Sequence, residues 1–117
     1  MIIDDDPSIR YMLGRVLLGE GYGVYAAADG VSGLTIAQEV EINLVMLDLK
    51  MPGKSGQETF KALRDAHLEM PVIIISAFSR QQLDNLNGAN ALLQKPLDFP
   101  ILLDTIKRLL AEPVAQG

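Results

Sequence analysis

A chain of 117 residues, 49% of them hydrophobic, has the size of one domain with material for a single core. Its formal net charge of −5 argues against nonspecific binding to nucleic acid or anionic membrane, both of which call for basic patches. The lack of cysteine excludes a disulfide scaffold and fits a cytoplasmic location, and no apolar run approaches the roughly 20 residues that cross a bilayer.

In chain order, an apolar run from Met1 to Ile3 reads as a first strand and is followed at once by Asp4, Asp5 and Asp6. Asp6-Pro7 supplies a helix cap and a first-turn proline. Ile9, Met12, Leu13, Val16 and Leu17 then recur at helical spacing until Gly19 and Gly21. Gly23 to Ala28 reads as a second strand, after which Asp29 caps a helix carrying Val31, Leu34 and Ile36. Leu44 to Leu47 is wholly apolar apart from its flanks, as expected of a strand covered by helices on both faces.

Met51-Pro52-Gly53 is a turn, and Ser55 caps a helix whose Phe60 and Leu63 face the core before Pro71. Val72 to Ile75 is the strongest strand. A weak fourth helix spans Ser79 to Asn87, with only Leu83 and Leu86 to bury, and ends at Gly88. Ala91 to Leu93 forms a fifth strand, and Ile101, Leu102, Ile106, Leu109 and Leu110 mark a last helix. The domain is expected to occupy residues 1–111, with 112–117 as a tail or the start of a linker. Alternating strands and helices with short connections favour an α/β, doubly wound parallel sheet with right-handed crossovers.

The strand ends carry the chemistry. Asp4 and Asp5 follow the first run, Asp48 the third, Ser76 the fourth, and Lys95 the fifth, so a parallel sheet gathers them at its carboxyl edge. Clustered carboxylates repel one another and call for a cation. With oxygen ligands, no cysteine and a single histidine, a hard ion such as Mg²⁺ is favoured over zinc or copper. A Mg²⁺ held by few carboxylates, with a lysine beside it, suits phosphoryl chemistry on an aspartate.

These segments resemble the receiver domain of two-component response regulators. The resemblance rests on Ile3-Asp4-Asp5-Asp6-Pro7-Ser8-Ile9-Arg10, Gly21-Tyr22, Leu47-Asp48-Leu49-Lys50-Met51-Pro52-Gly53, Pro71-Val72-Ile73, Ser76-Ala77, Gly88-Ala89 and Lys95-Pro96, in order along the chain. It implies a flavodoxin-like, five-stranded sheet of order 2-1-3-4-5 flanked by five helices. It implies that Asp48 is the phosphoacceptor, taking its phosphoryl group from a phosphohistidine on a histidine kinase or histidine phosphotransfer protein. Asp5 would bind Mg²⁺ directly, Asp4 mainly through water, and the backbone carbonyl of Lys50 would add a ligand, with Asp48 itself in the metal set. Lys95, before a cis bond to Pro96, would pair with Asp48 and then with the phosphoryl oxygens, and Ser76 would hydrogen-bond the phosphoryl group.

The expected protein is a signalling switch rather than an enzyme, assisting only its own phosphorylation and dephosphorylation. Lys50 and Phe78 stand where the family tunes phosphoryl lifetime, and a bulky Phe78 is expected to hinder attacking water. The fourth helix is short by close to one turn, and Leu92 stands where many members carry a tyrosine or phenylalanine. Two other readings compete: a receiver-fold binding module that switches without phosphate, and a haloacid-dehalogenase-type phosphatase with Asp4 as nucleophile. The latter leaves the Asp48-Leu49-Lys50-Met51-Pro52 segment unexplained. The sequence leaves open a homodimer and an output domain in a longer parent chain.

Overall fold

The computed structural model describes residues 1–49, 51, 55–77 and 88–111. Its strands are β1 (Ile2–Ile3), β2 (Ala26–Ala27), β3 (Val45–Asp48), β4 (Val72–Ser76) and β5 (Ala91–Gln94). The helices among the described residues are α1 (Pro7–Gly19), α2 (Gly30–Glu39), α3 (Gly56–Asp65) and α4 (Phe99–Ala111). All strand pairings are parallel and the order is β2-β1-β3-β4-β5, as expected from the sequence. The helix expected over 79–87, the side chain of Phe78, the carbonyl of Lys50 and the tail 112–117 lie outside the described residues. No helix among the described residues is long and apolar enough to cross a membrane.

Successive strand residues point to opposite faces, and this alternation builds two cores. Ile3, Val45, Leu47, Val72 and Ile74 pack with Phe60 and Leu63 of α3 on one face. Ile2, Met46, Ile73 and Ile75 pack with Leu13 and Leu17 of α1 and with Leu102, Ile106 and Leu109 of α4 on the other. Burial on both faces explains why β3 and β4 read as continuous apolar runs.

The caps follow the sequence closely. Asp6 accepts the Ser8 amide at 2.8 Å with Pro7 opening α1, and Asp29 accepts the Ser32 amide at 2.8 Å. Ser55 and Glu58 form a reciprocal capping box on α3.

Two elements differ from expectation. The paired part of β2 covers only Ala26–Ala27 rather than Gly23 to Ala28, because its one neighbour, β1, is itself two residues long. On α2, Leu34 and Ile36 pack against the core as expected, but the fully buried positions are Gly30, Gly33 and Ala37, and Val31 is 61% exposed. The glycines allow close approach: a Cβ at Gly33 would stand 2.5 Å from Ile3 Cδ1, and one at Gly30 would run into the Thr59 hydroxyl of α3. Hydrophobic periodicity does not register a buried position filled by glycine.

Candidate functional site

The parallel arrangement puts the strand ends on one edge. Asp48 is the last residue of β3 and pairs in register with Ile75, and Ser76 ends β4 opposite Gln94. The Lys95 amide donates to the Ser76 carbonyl at 2.8 Å, extending the β4–β5 ladder by one step. On the far side, the Asp4 amide donates to the Ala27 carbonyl at 3.1 Å, which ties the end of β1 to β2. The Lys95–Pro96 peptide bond is cis.

Asp4, Asp48, Ser76 and Lys95 line one open cavity of about 610 Å³ together with Asp5, Asp6, Ile9 and Ala77. Asp4, Asp48 and Ser76 are 4%, 6% and 1% exposed, whereas Asp5 is exposed. One carboxylate oxygen from each of Asp4, Asp5 and Asp48 falls within 4.8 Å of the others. Lys95 Nζ stands 3.5 Å from Asp4 Oδ2 and 3.5 Å from Asp48 Oδ1. The Asp6 amide donates to Asp4 Oδ1 at 3.0 Å, so the backbone after the acidic pair helps orient it.

Charge counting defines what the cluster can hold. Three carboxylates against one ammonium leave two negative charges, the complement of a divalent cation. Like charges at about 4.8 Å repel by roughly 3 kcal/mol at an effective dielectric of about 20, so the trio is stabilised by a cation among its oxygens. An all-oxygen set with one exposed member and an open mouth suits Mg²⁺, which keeps several waters and accepts a phosphoryl oxygen in an open position. Asp4, Asp5 and Asp48 are the residues that fit it. Bound there, the ion neutralises charge on the phosphoryl group during transfer.

The sequence reading therefore names five side chains that the fold brings together: Asp4, Asp5, Asp48, Ser76 and Lys95. Ile9 reads in sequence only as a core residue, and nothing in its spacing signals that it also lines the cavity. The sequence assigns Arg10 no role either, yet its guanidinium donates to the Asp4 carbonyl at 2.8 Å. One signal was available: a cation in the first turn opposes the helix dipole and so requires another partner.

Comparison with known proteins agrees with this geometry. The response regulator receiver domain family matches residues 1–107. The chain is 34% identical over 115 residues to sporulation initiation phosphotransferase F of Bacillus subtilis, covering 94% of this chain and 91% of that protein. It is 39% identical over 77 residues to the DNA-binding response regulator MtrA of Mycolicibacterium smegmatis, covering 66% of this chain but only 33% of that longer protein. The response regulator TrrA of Thermotoga maritima, solved in complex with Mg²⁺ and BeF, superposes with a TM-score of 0.84 at 31% identity, over 92% of this chain and 95% of that one. The chain belongs to the response regulator receiver domain family. It is a phosphoacceptor signalling domain of the two-component class that uses Mg²⁺, and such domains are switches that take phosphoryl groups from histidine kinases or phosphotransfer proteins. Neither the dehalogenase-type reading nor the phosphate-independent module is favoured by these matches.

Proposed function

We propose that Asp48 is the phosphoacceptor. What supports the reading is one observation: Asp4, Asp5 and Asp48 offer oxygens within 4.8 Å of one another, with Lys95 Nζ 3.5 Å from both Asp4 and Asp48. A carboxylate oxygen of Asp48 attacks phosphorus, a P–O bond forms, and the P–N bond of the donor phosphohistidine breaks with its electron pair passing to the imidazole. Asp5 would bind Mg²⁺ directly, Asp4 mainly through water, and Asp48 would be a further ligand; the Lys50 carbonyl that the family resemblance adds to the set lies outside the described residues. Lys95 balances charge on Asp48 and then on the transferred oxygens. Ser76, at the end of β4, donates its hydroxyl to the phosphoryl group.

The new group carries close to two negative charges, and these bias the domain between two states. The output is a shift in population read by a partner or by an attached domain, rather than a reaction product. In this reading the domain spans residues 1–111, with 112–117 as a tail or the start of a linker, and it acts in the cytoplasm. Its only catalysis is of its own phosphorylation and dephosphorylation.

The reading is tested by phosphorylating the chain from a phosphohistidine donor, reducing the product with borohydride and mapping the peptides. An acyl phosphate at Asp48 is reduced to homoserine at position 48. Homoserine at position 4 would instead favour a dehalogenase-type nucleophile. A conformational response in NMR spectra that is independent of phosphate would favour the binding module.

A further inference from the structure

Arg10 is a charged residue at the site that the chemistry above leaves unused. It lies in the first turn of α1, where the helix dipole disfavours a cation. Its Nη1 reaches six residues back to donate to the Asp4 carbonyl at 2.8 Å, and the contact is partly buried.

The four polar atoms of Asp4 are then each engaged. The amide donates to Ala27, Oδ1 accepts from the Asp6 amide, Oδ2 faces Lys95, and the carbonyl accepts from Arg10. β2 ends at Ala27, and it is Arg10 that supplies the donor a continuing ladder would have given. The Asp4 carbonyl belongs to the planar peptide unit that joins Asp4 to Asp5, so a bond to that oxygen fixes the orientation of the plane from which both carboxylates project.

We propose that Arg10 is a positioning residue that locks the Asp4–Asp5 peptide plane and so holds both carboxylates ready for a divalent cation. The inference rests on the reading of the acidic cluster as a Mg²⁺ site, and it makes a sign-specific claim. As a bare positive charge, Arg10 repels the ion, and its removal would tighten binding. As a positioning residue, its removal loosens the two ligands and weakens binding.

The test is calorimetric titration of the 117-residue chain with Mg²⁺, for wild type, Arg10→Gln, Arg10→Lys and Arg15→Gln. Arg15 lies on the same helix but bonds the Tyr11 hydroxyl at 3.1 Å, so its variant removes the same charge without touching the loop. Partners that orient metal ligands are typically worth about tenfold in affinity. The expected result is about tenfold weaker binding in Arg10→Gln, part of it recovered in Arg10→Lys, and none of it seen in Arg15→Gln. With acetyl phosphate as donor, the Mg²⁺ concentration giving half-maximal phosphorylation shifts by the same factor, while the rate at saturating Mg²⁺ stays within about twofold of wild type.

Binding by folded Arg10→Gln that is equal to or tighter than wild type overturns the proposal. If Arg10→Gln does not fold, Arg10→Lys decides by the same criterion, with weakening of about threefold or more sustaining the proposal and none overturning it. A wild type that binds Mg²⁺ but accepts no phosphoryl group refutes the proposed function and leaves the calorimetric comparison valid. A wild type that does not bind Mg²⁺ refutes both.

Discussion

Replacing Gly56 by alanine is expected to separate the acceptor strand from the helix that buttresses it. A Cβ at this position would press on the Asp48 carbonyl oxygen and stand 2.5 Å from Leu49 Cα and 3.0 Å from Leu49 Cδ2. The two nearest atoms are backbone and cannot turn aside. Restoring an ordinary contact near 3.5 Å requires α3 and the end of β3 to part by roughly 1 Å. Overpacking of this kind costs about 1 to 3 kcal/mol. The Gly56 amide also donates to the Leu49 carbonyl at 3.0 Å, and stretching that bond loses about 1 kcal/mol more. Reduced freedom of the unfolded chain returns about 0.5 to 1 kcal/mol.

The net loss is about 1 to 3.5 kcal/mol, which lowers the thermal midpoint of a chain of this size by roughly 4 to 14 °C. Because Asp48 moves with its carbonyl, phosphorylation by acetyl phosphate is expected to slow as well. Urea denaturation and the initial phosphorylation rate report the two effects separately. Gly19→Ala is the control, since a Cβ there meets nothing within 4 Å, and it is expected to match wild type or gain up to about 1 kcal/mol. Wild-type stability together with a wild-type phosphorylation rate in Gly56→Ala would refute the reasoning.

Gly30→Ala drives a methyl into the Thr59 side chain and is expected to lose about 1 to 3 kcal/mol in urea denaturation, part of it regained in the double variant with Thr59→Ala; strict additivity would contradict the proposed contact between α2 and α3. Chelating Mg²⁺ is expected to lower the thermal midpoint, since ligand at a hundred times its dissociation constant adds about 2.7 kcal/mol, and Asp5→Asn should shrink this difference. Equal midpoints for wild type with EDTA and with Mg²⁺ would count against the cation site.

The half-buried Met1 amine donates to the Leu44 carbonyl at 2.7 Å, and burial lowers its pKa from 8.0 to about 6. The unfolded chain therefore binds more protons between these values, so stability rises as pH climbs from about 6 to about 8, by at most about 3 kcal/mol. Acetylation of the amine should flatten that part of the stability profile, and an unchanged slope would refute the assignment.

The site was legible in sequence because its parts sit at strand ends. Asp48, Ser76 and Lys95 each close an apolar run, and a parallel sheet brings such ends to one edge without regard to loop detail. Caps were legible too, since Asp6-Pro7 and Ser55 with Glu58 are local chemistry. What escaped depends on partners distant in sequence. The length of β2 is set by β1, not by its own residues. Two of the fully buried positions of α2 are Gly30 and Gly33, whose value lies in the bulk they lack. On α4, periodicity marked Ile101 and Leu110 along with the core residues, yet Ile101 is 55% exposed because the face against the sheet runs through Leu102, Thr105, Ile106 and Leu109. Arg10 acts through a backbone oxygen, a kind of contact that residue patterns do not encode.

The most direct test of the central claim is intact mass after incubation with acetyl phosphate and Mg²⁺, for wild type and Asp48→Asn. The account predicts a single phosphoryl adduct, labile to base, that requires Mg²⁺ and is lost in Asp48→Asn. An adduct of equal yield in Asp48→Asn, or none in folded wild type with Mg²⁺ present, would contradict it.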